Sequence, residues 1–154
     1  MDKLKLLIVE GNTKEENSNF NNAGCVPQSE NFKYHILKIK PNCEIDIIEP
    51  DNDDLISKIN SNTKGIIINS PSNPTGGVWS DDAIKKTVDI AKAHSLWVFS
   101  DECYEQLTYD TVFTSIASLS KNKDKILTFQ SCSKTYSMTG WRIGYTAGNI
   151  DVIK

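Results

Sequence analysis

The sequence predicts an α/β fold with three layers (αβα), in which helices cover both faces of a mostly parallel β-sheet. Three short apolar runs, residues 65–68, 96–99 and 126–129, are rich in β-branched and aromatic residues, as is typical of strands buried on both faces. A helical pattern lies between the first two runs, which predicts a strand–helix–strand unit with parallel strands. A polar motif follows each run. Such motifs are expected to meet at the carboxyl edge of the sheet, where ligands bind in this class of fold.

The first fifty residues predict a strand, a loop, a helix and a second strand. The apolar run 4–9 indicates a strand that ends in a turn, and the polar stretch 12–31 indicates a loop. Residues 32–40 have apolar side chains at helical spacing, and residues 43–48 form a further strand-like run. Composition and pattern both change near residues 49–52, so we expect a domain boundary there.

The helix between the first two apolar runs has a clear start. Ser80 supplies a hydroxyl N-cap, and two acidic residues, Asp81 and Asp82, follow it where the helix dipole favours negative charge. Apolar residues then recur at helical spacing and form one stripe: Ile84, Val88 and Ala91. This stripe is expected to pack on the sheet.

Composition narrows the possible partners. The chain has 154 residues and a net charge of −3, which gives enough length for a real core and no support for nucleic acid or an anionic membrane as partner. Residues 1–9 are too short an apolar run for a membrane span and lack a cleavage site, so a cytoplasmic location is expected. The four cysteines show no CxxC pair or metal-ligand spacing, which predicts reduced thiols and no metal site: Cys25, Cys43, Cys103 and Cys132.

The segment 131–144, with the sequence SCSKTYSMTGWRIG, carries the strongest chemical signal. Lys134 follows the third predicted strand, and Arg142 is the only arginine in a chain with 17 lysine and arginine residues. A guanidinium is a planar fork that holds a phosphate bidentately, which a lysine does less well. A lysine beside an anion-binding group suggests Schiff-base chemistry with a phosphorylated aldehyde cofactor. Gly140 and Gly144 are expected to let the backbone turn closely around the anion.

Two further motifs stand upstream in a fixed order. They are NSPSNPTG at residues 69–76 and SDECY at residues 100–104. With all three blocks in this order, the chain resembles the pyridoxal-phosphate-dependent aminotransferases of fold type I, class I, and in particular their aspartate/prephenate-type branch. The resemblance extends over about residues 50–154. It implies that residues 51–154 are the central part of an aminotransferase large domain, the domain that binds the cofactor.

The resemblance implies a role for each polar residue around pyridoxal 5′-phosphate. Lys134 would be the catalytic residue, which holds the cofactor covalently and moves the proton of the substrate α-carbon. Asp101 would pair with the protonated pyridine nitrogen and keep the ring an effective electron sink. The other implied contacts are hydrogen bonds to the phenolic oxygen from Asn73 and Tyr104, and phosphate contacts from Ser131, Ser133 and Arg142.

These roles predict a transaminase that moves an amino group between an aspartate-like amino acid and a 2-oxo acid. The family is homodimeric and its members are more than twice as long, so we expect a partial chain with an incomplete dimer surface. A lyase of the same fold would share the cofactor contacts and stays open. A non-catalytic fragment or fusion remnant also stays open, because the upstream phosphate turn, the ring-stacking aromatic and a second arginine for the substrate carboxylate are missing from this sequence.

The first fifty residues resemble the opening of class I glutamine amidotransferases, which are flavodoxin-like in fold. The shared pattern is a terminal strand, a long loop, a helix and a strand. This resemblance implies that residues 1–50 are a βαβ piece of separate origin. The GxCxG elbow and the later His-x-Glu of amidotransferase chemistry are absent from the sequence, so amidotransferase activity is not expected.

Overall fold

The computed structural model describes residues 5–10, 44–48, 52–73 and 75–153. Its strands form one six-stranded sheet in the order β2-β1-β3-β4-β5-β6. Strands β1 to β5 all run parallel to one another, and β6 runs antiparallel to β5. The mostly parallel sheet of the predicted α/β class is therefore confirmed. The strands are β1 (Lys5–Glu10), β2 (Glu44–Ile48), β3 (Thr63–Asn69), β4 (Trp97–Asp101), β5 (Ile126–Ser131) and β6 (Gly144–Gly148).

Short helices connect the strands, and one longer helix dominates. The α-helices are α1 (Asn52–Lys58), α2 (Asp81–Ala93), α3 (Ile116–Leu119), α4 (Cys132–Thr135) and α5 (Ile150–Ile153), with a 3₁₀ helix at Thr139–Trp141. The predicted start of α2 is confirmed, because the Ser80 hydroxyl accepts a hydrogen bond from the backbone N–H of Ala83 at 3.3 Å. Within the described ranges, none of these helices has the length and apolar character needed to cross a membrane.

The hydrophobic core lies on one face of the sheet. The predicted stripe of α2 is buried there, with Ile84 and Ala91 each 1% exposed. Helices α1 and α3 flank α2 and contribute one buried side chain each, Leu55 and Ile116. The sheet contributes a set of apolar residues to the same cluster: Ile66, Ile68, Val98 and Ile126.

The opposite face of the sheet is less covered among the described residues. Side chains alternate along a strand, so Ile67 and Phe99 point away from the buried cluster. Phe99 stacks on Phe129 with ring centres 6.4 Å apart, and Phe129 is 37% exposed. The helix predicted over residues 32–40, which would belong to a second helical layer, lies outside the described residues.

The two N-terminal strands belong to the same sheet as the later ones. The structure confirms the strands predicted over 4–9 and 43–48, and β1 lies between β2 and β3. The loop predicted over 12–31 lies outside the described residues. The separate origin of residues 1–50 stays a prediction.

The core position of Ile84 predicts a large loss of stability on truncation. We expect Ile84→Ala to lower the free energy of unfolding by about 2–5 kcal/mol, because the buried side chain leaves a cavity under the sheet. Ile56→Ala is the matched control, because Ile56 is also helical and is 48% exposed. It should cost less than about 1 kcal/mol. Urea unfolding followed by circular dichroism measures both; equal losses would contradict the position of the core.

Candidate active site

Three polar segments leave the sheet at the same edge. Strands β3, β4 and β5 are parallel, and their aligned residues include Asn69 beside Asp101 and Asp101 beside Phe129. The segments that follow these strand ends carry the three sequence motifs. The carboxyl ends of adjacent parallel strands form the usual ligand-binding edge of such sheets. The edge therefore collects side chains that lie far apart in the sequence.

Tyr104 contacts both of the other motifs at this edge. Its hydroxyl oxygen accepts a hydrogen bond of 2.9 Å from Nδ2 of Asn73. The Nζ of Lys134 lies 5.3 Å from the centre of the Tyr104 ring, which is within the range of a cation–π contact. The structure thus brings together Asn73, Tyr104 and Lys134, one residue from each motif. Lys134 itself is exposed.

Asn73 is oriented by a residue to which the sequence analysis gave no role. The side-chain oxygen of Asn69 accepts a hydrogen bond of 3.1 Å from the backbone N–H of Asn73. The turn that follows is closed by a 2.8 Å bond from the N–H of Gly76 to the carbonyl of Ser72. Gly76 has φ +72°, a left-handed conformation that favours glycine. An asparagine directly at the end of a predicted strand was the signal that could have identified Asn69.

Asp101 ends β4 on the less covered face of the sheet, the same face as Phe99. One of its carboxylate oxygens accepts a hydrogen bond of 3.3 Å from the backbone N–H of Cys103. Burial raises the pKa of the Cys103 thiol to about 12, with a further contribution from the negative charge of Asp101. The positive charge of Lys134 acts in the opposite direction. Asp101 and Lys134 therefore both act electrostatically on the segment that carries Tyr104.

The residues assigned to the phosphate lie in the connection between β5 and β6. Ser131 accepts a hydrogen bond of 3.2 Å from the N–H of Ser133 and so caps α4, and Ser133 is buried. Arg142 is exposed, has φ +54°, and donates from Nη1 to the carbonyl of Thr139 at 3.1 Å. Ser131 pairs with Gly144 in the β5–β6 ladder, so Ser133 and Arg142 each lie two residues beyond that pair.

Gly144 is required by a strand contact. A Cβ added there would lie 2.6 Å from the carbonyl oxygen of Gln130 on β5. This close approach explains why a glycine is needed at the start of β6. From the sequence, Gly144 was expected instead to let the backbone turn around the bound anion. Gly140 lies exposed in the 3₁₀ helix.

Glu102 was missed by the sequence analysis as a functional candidate. It is 1% exposed, and its Oε1 accepts hydrogen bonds from Ser100 Oγ at 2.8 Å, Ser115 Oγ at 3.1 Å and the N–H of Ile116 at 3.1 Å. Burial raises the pKa of the Glu102 carboxyl, and these hydrogen bonds partly offset the effect. The signal in the sequence was a second acidic residue directly after a buried strand.

The donors at this edge suit a phosphorylated pyridine aldehyde. An amide and a phenol are hydrogen-bonded to each other, an amine lies over the phenol ring, and a carboxylate ends the neighbouring strand. Hydroxyls and the only guanidinium of the chain occupy the next connection. These side chains are of the types that bind a phosphorylated aldehyde cofactor in an α/β fold.

Comparison with known proteins identifies the family. The sequence profile of aminotransferase class I and II matches residues 30–154, and the chain belongs to this family. The family depends on pyridoxal phosphate. The match begins upstream of the boundary expected near residue 50, so part of the first fifty residues also shares the family's pattern.

Individual relatives agree with this assignment. The chain is 47% identical to an aspartate aminotransferase of Geobacillus stearothermophilus over 98 residues. The aligned region covers 62% of this chain and 25% of that protein. It is 45% identical over 97 residues to a probable aspartate/prephenate aminotransferase of Aquifex aeolicus, again 62% of this chain and 25% of the relative. The crystal structure of an aspartate aminotransferase from Thermotoga maritima superposes with a TM-score of 0.80 and 26% identity, over 99% of this chain and 38% of that one. The chain spans about a quarter of the length of the curated relatives it matches.

The raised pKa of Cys103 predicts slow alkylation. A thiol with a pKa of about 12 instead of 9.0 holds about a thousandfold less thiolate at pH 8, and the thiolate is the nucleophile. We expect iodoacetamide to modify Cys103 far more slowly than a model thiol. Asp101→Asn should accelerate the reaction, because it removes a negative charge that raises the pKa.

Mass spectrometry of the Cys103 peptide over a time course measures the rate. Asp89→Asn is the control, because it removes an equal charge from the exposed side of α2. Equal rates for the wild type and Asp101→Asn would contradict the electrostatic contribution of Asp101.

Proposed function

We propose that this chain carries cofactor-binding residues of a pyridoxal-phosphate-dependent transaminase, which moves an amino group between an aspartate-like amino acid and a 2-oxo acid. The observation that carries the proposal is the contact between three motifs at one sheet edge. Asn73 donates to the Tyr104 hydroxyl at 2.9 Å, and the Lys134 amine lies 5.3 Å from the Tyr104 ring centre. The aspartate-like substrate is taken from the names of the relatives.

The proposal gives each residue in the site a function that agrees with its position. The Tyr104 oxygen accepts from the Asn73 amide, so the phenol keeps its own hydrogen to donate to an oxygen of the bound ring. Asp101, at the end of β4, supplies the negative charge for a protonated ring nitrogen. The phosphate would be held by Arg142 and by the hydroxyls of Ser131 and Ser133.

Lys134 has two functions in this proposal. Its exposed amine is accessible to an aldehyde, and it lies 5.3 Å from the centre of the Tyr104 ring. When bound, pyridoxal phosphate would supply the electron sink for the bonding electrons at the substrate α-carbon. Lys134 Nζ, once released, would then accept and return the α-carbon proton as general base and acid.

The proposal extends to partners and location. An amino acid and a 2-oxo acid are the small-molecule partners that transamination requires. Homodimerisation, which the family resemblance implies, and a cytoplasmic location stay predictions.

Covalent labelling tests the assignment of Lys134. The purified chain is mixed with pyridoxal phosphate and treated with borohydride, which makes the attachment permanent, and the modified peptide is mapped by mass spectrometry. We expect one dominant label on Lys134, because its amine is the one held among the cofactor-binding side chains. Lys134→Ala should remove this label.

Lys125→Ala is the matched control for this experiment. Lys125 directly precedes β5 at the opposite edge of the sheet, and its amine donates to the carbonyl of Ser95 at 2.7 Å. This variant should keep the dominant label at Lys134. Labelling spread evenly over the lysines of the wild-type chain would refute the assignment.

Substitution of Arg142 tests the phosphate contact. Arg142→Lys keeps the positive charge but loses the bidentate fork, so we expect cofactor binding to weaken by about 1–3 kcal/mol. Titration with pyridoxal phosphate, followed by absorbance, gives the dissociation constants of both proteins. Equal affinities would mean that Arg142 is structural, consistent with its hydrogen bond to Thr139.

A further inference from the structure

We propose that Glu102 is a positioning residue, whose buried carboxylate fixes the direction in which the chain leaves β4 and so holds Tyr104 against Asn73. The inference rests on the proposed function only in that it treats Tyr104 as a cofactor-binding residue. The contact between Tyr104 and Asn73 involves only side chains of this chain, so it can be tested separately.

The Glu102 side chain has a fixed orientation. A single carboxylate oxygen, Oε1, receives three hydrogen bonds, from the hydroxyls of Ser100 and Ser115 and from the N–H of Ile116. Any rotation of the side chain would leave these donors unsatisfied in a site where Glu102 is 1% exposed. Buried polar groups without partners are costly, so the arrangement resists change.

The start of α3 is also hydrogen-bonded to this carboxylate. Ser115 precedes the helix, but its hydroxyl makes no capping bond to the helix and donates to Glu102 instead. The N–H of Ile116, the first residue of α3, donates to the same oxygen. Glu102 therefore ties the end of β4 to an element that begins more than ten residues later and is packed in the core.

The main chain transmits this anchoring to Tyr104. The N–H of Glu102 donates to the carbonyl of Phe129 at 3.0 Å and continues the β4–β5 pairing by one residue. The carbonyl of Glu102 then accepts from the N–H of Glu105 at 3.0 Å, which closes a turn. Cys103 and Tyr104 are the two central residues of that turn, so the backbone position of Glu102 helps to determine the position of Tyr104.

The two acidic residues at the end of β4 act on opposite faces. Ser100 and Glu102 point towards the face covered by α1, α2 and α3, whereas Asp101 points towards the other face with Phe99. Glu102 therefore lies on the face of the sheet opposite to Asp101, the residue assigned to the cofactor ring. This placement is why we assign it positioning and not catalysis.

The side-chain amide signals of Asn73 in nitrogen-15 NMR spectra of the cofactor-free chain test the proposal. Tyr104→Phe removes the hydrogen-bond acceptor and defines the signal position without the bond. We expect Glu102→Leu to move the Asn73 signals more than half of the way to that position. Glu102→Gln keeps an acceptor of the same shape and should move them less, and Ser115→Ala, which removes one donor, should also move them less.

Thr87→Val is the control for a merely structural effect. Thr87 is 2% exposed in α2 and its hydroxyl donates to the carbonyl of Ala83, so the variant loses a buried hydrogen bond away from the site. It should lower stability and leave the Asn73 signals in place. Unmoved signals in folded Glu102→Leu would overturn the proposal.

If Glu102→Leu does not fold, the two milder variants decide. A displacement in Glu102→Gln or Ser115→Ala supports the positioning role, and wild-type signals in both overturn it. Failure of the proposed function would be seen separately, as an absence of specific pyridoxal phosphate attachment to Lys134 in the wild type. The NMR result does not depend on that attachment.

Discussion

The parallel pairing of β3, β4 and β5 is the constraint on which the rest of the structure depends. Because the three strands run in the same direction and their ends are aligned, whatever follows each strand emerges at one edge. Asn73 and Tyr104 are 31 residues apart in the sequence. They form a 2.9 Å hydrogen bond because they follow the aligned ends of the adjacent strands β3 and β4. Lys134 joins them from β5 for the same reason.

The sheet has two faces, which explains why adjacent residues of β4 have different surroundings. Side chains alternate between the two faces along β4, so Ser100 and Glu102 point towards the helices and Asp101 points towards the opposite face. On the helical side, the stripe of α2 and the strand residues Ile66 and Ile68 form a buried apolar cluster. A buried carboxylate is tolerated at the margin of this cluster because three donors satisfy it. The other side of β4 carries Asp101 and also Phe99, which stacks on Phe129.

Electrostatics links the elements of the site beyond direct contacts. The Cys103 thiol lies in the field of the Asp101 carboxylate and of the Lys134 amine, which act on its pKa in opposite directions. A carboxylate and an amine near one turn suit a pyridine ring that carries both a protonated nitrogen and an aldehyde group. The carboxylate can pair with the nitrogen, and the amine can react with the aldehyde. This agrees with the family to which the chain belongs, and it depends on the relative placement of β4 and β5.

The sequence by itself determined the strands β1 to β5, the start and apolar stripe of α2, and the polar residues that stand at the strand ends. These features are local, because alternation, helical spacing and capping are properties of a few neighbouring residues. The tertiary structure decided the contacts of Asn69, Glu102 and Gly144. Their partners are a backbone N–H in the following turn, the start of α3, and the carbonyl of Gln130 on the adjacent strand. Such partners are fixed by the direction in which each side chain or backbone group faces once the strands have paired, and no periodicity in the sequence records that direction.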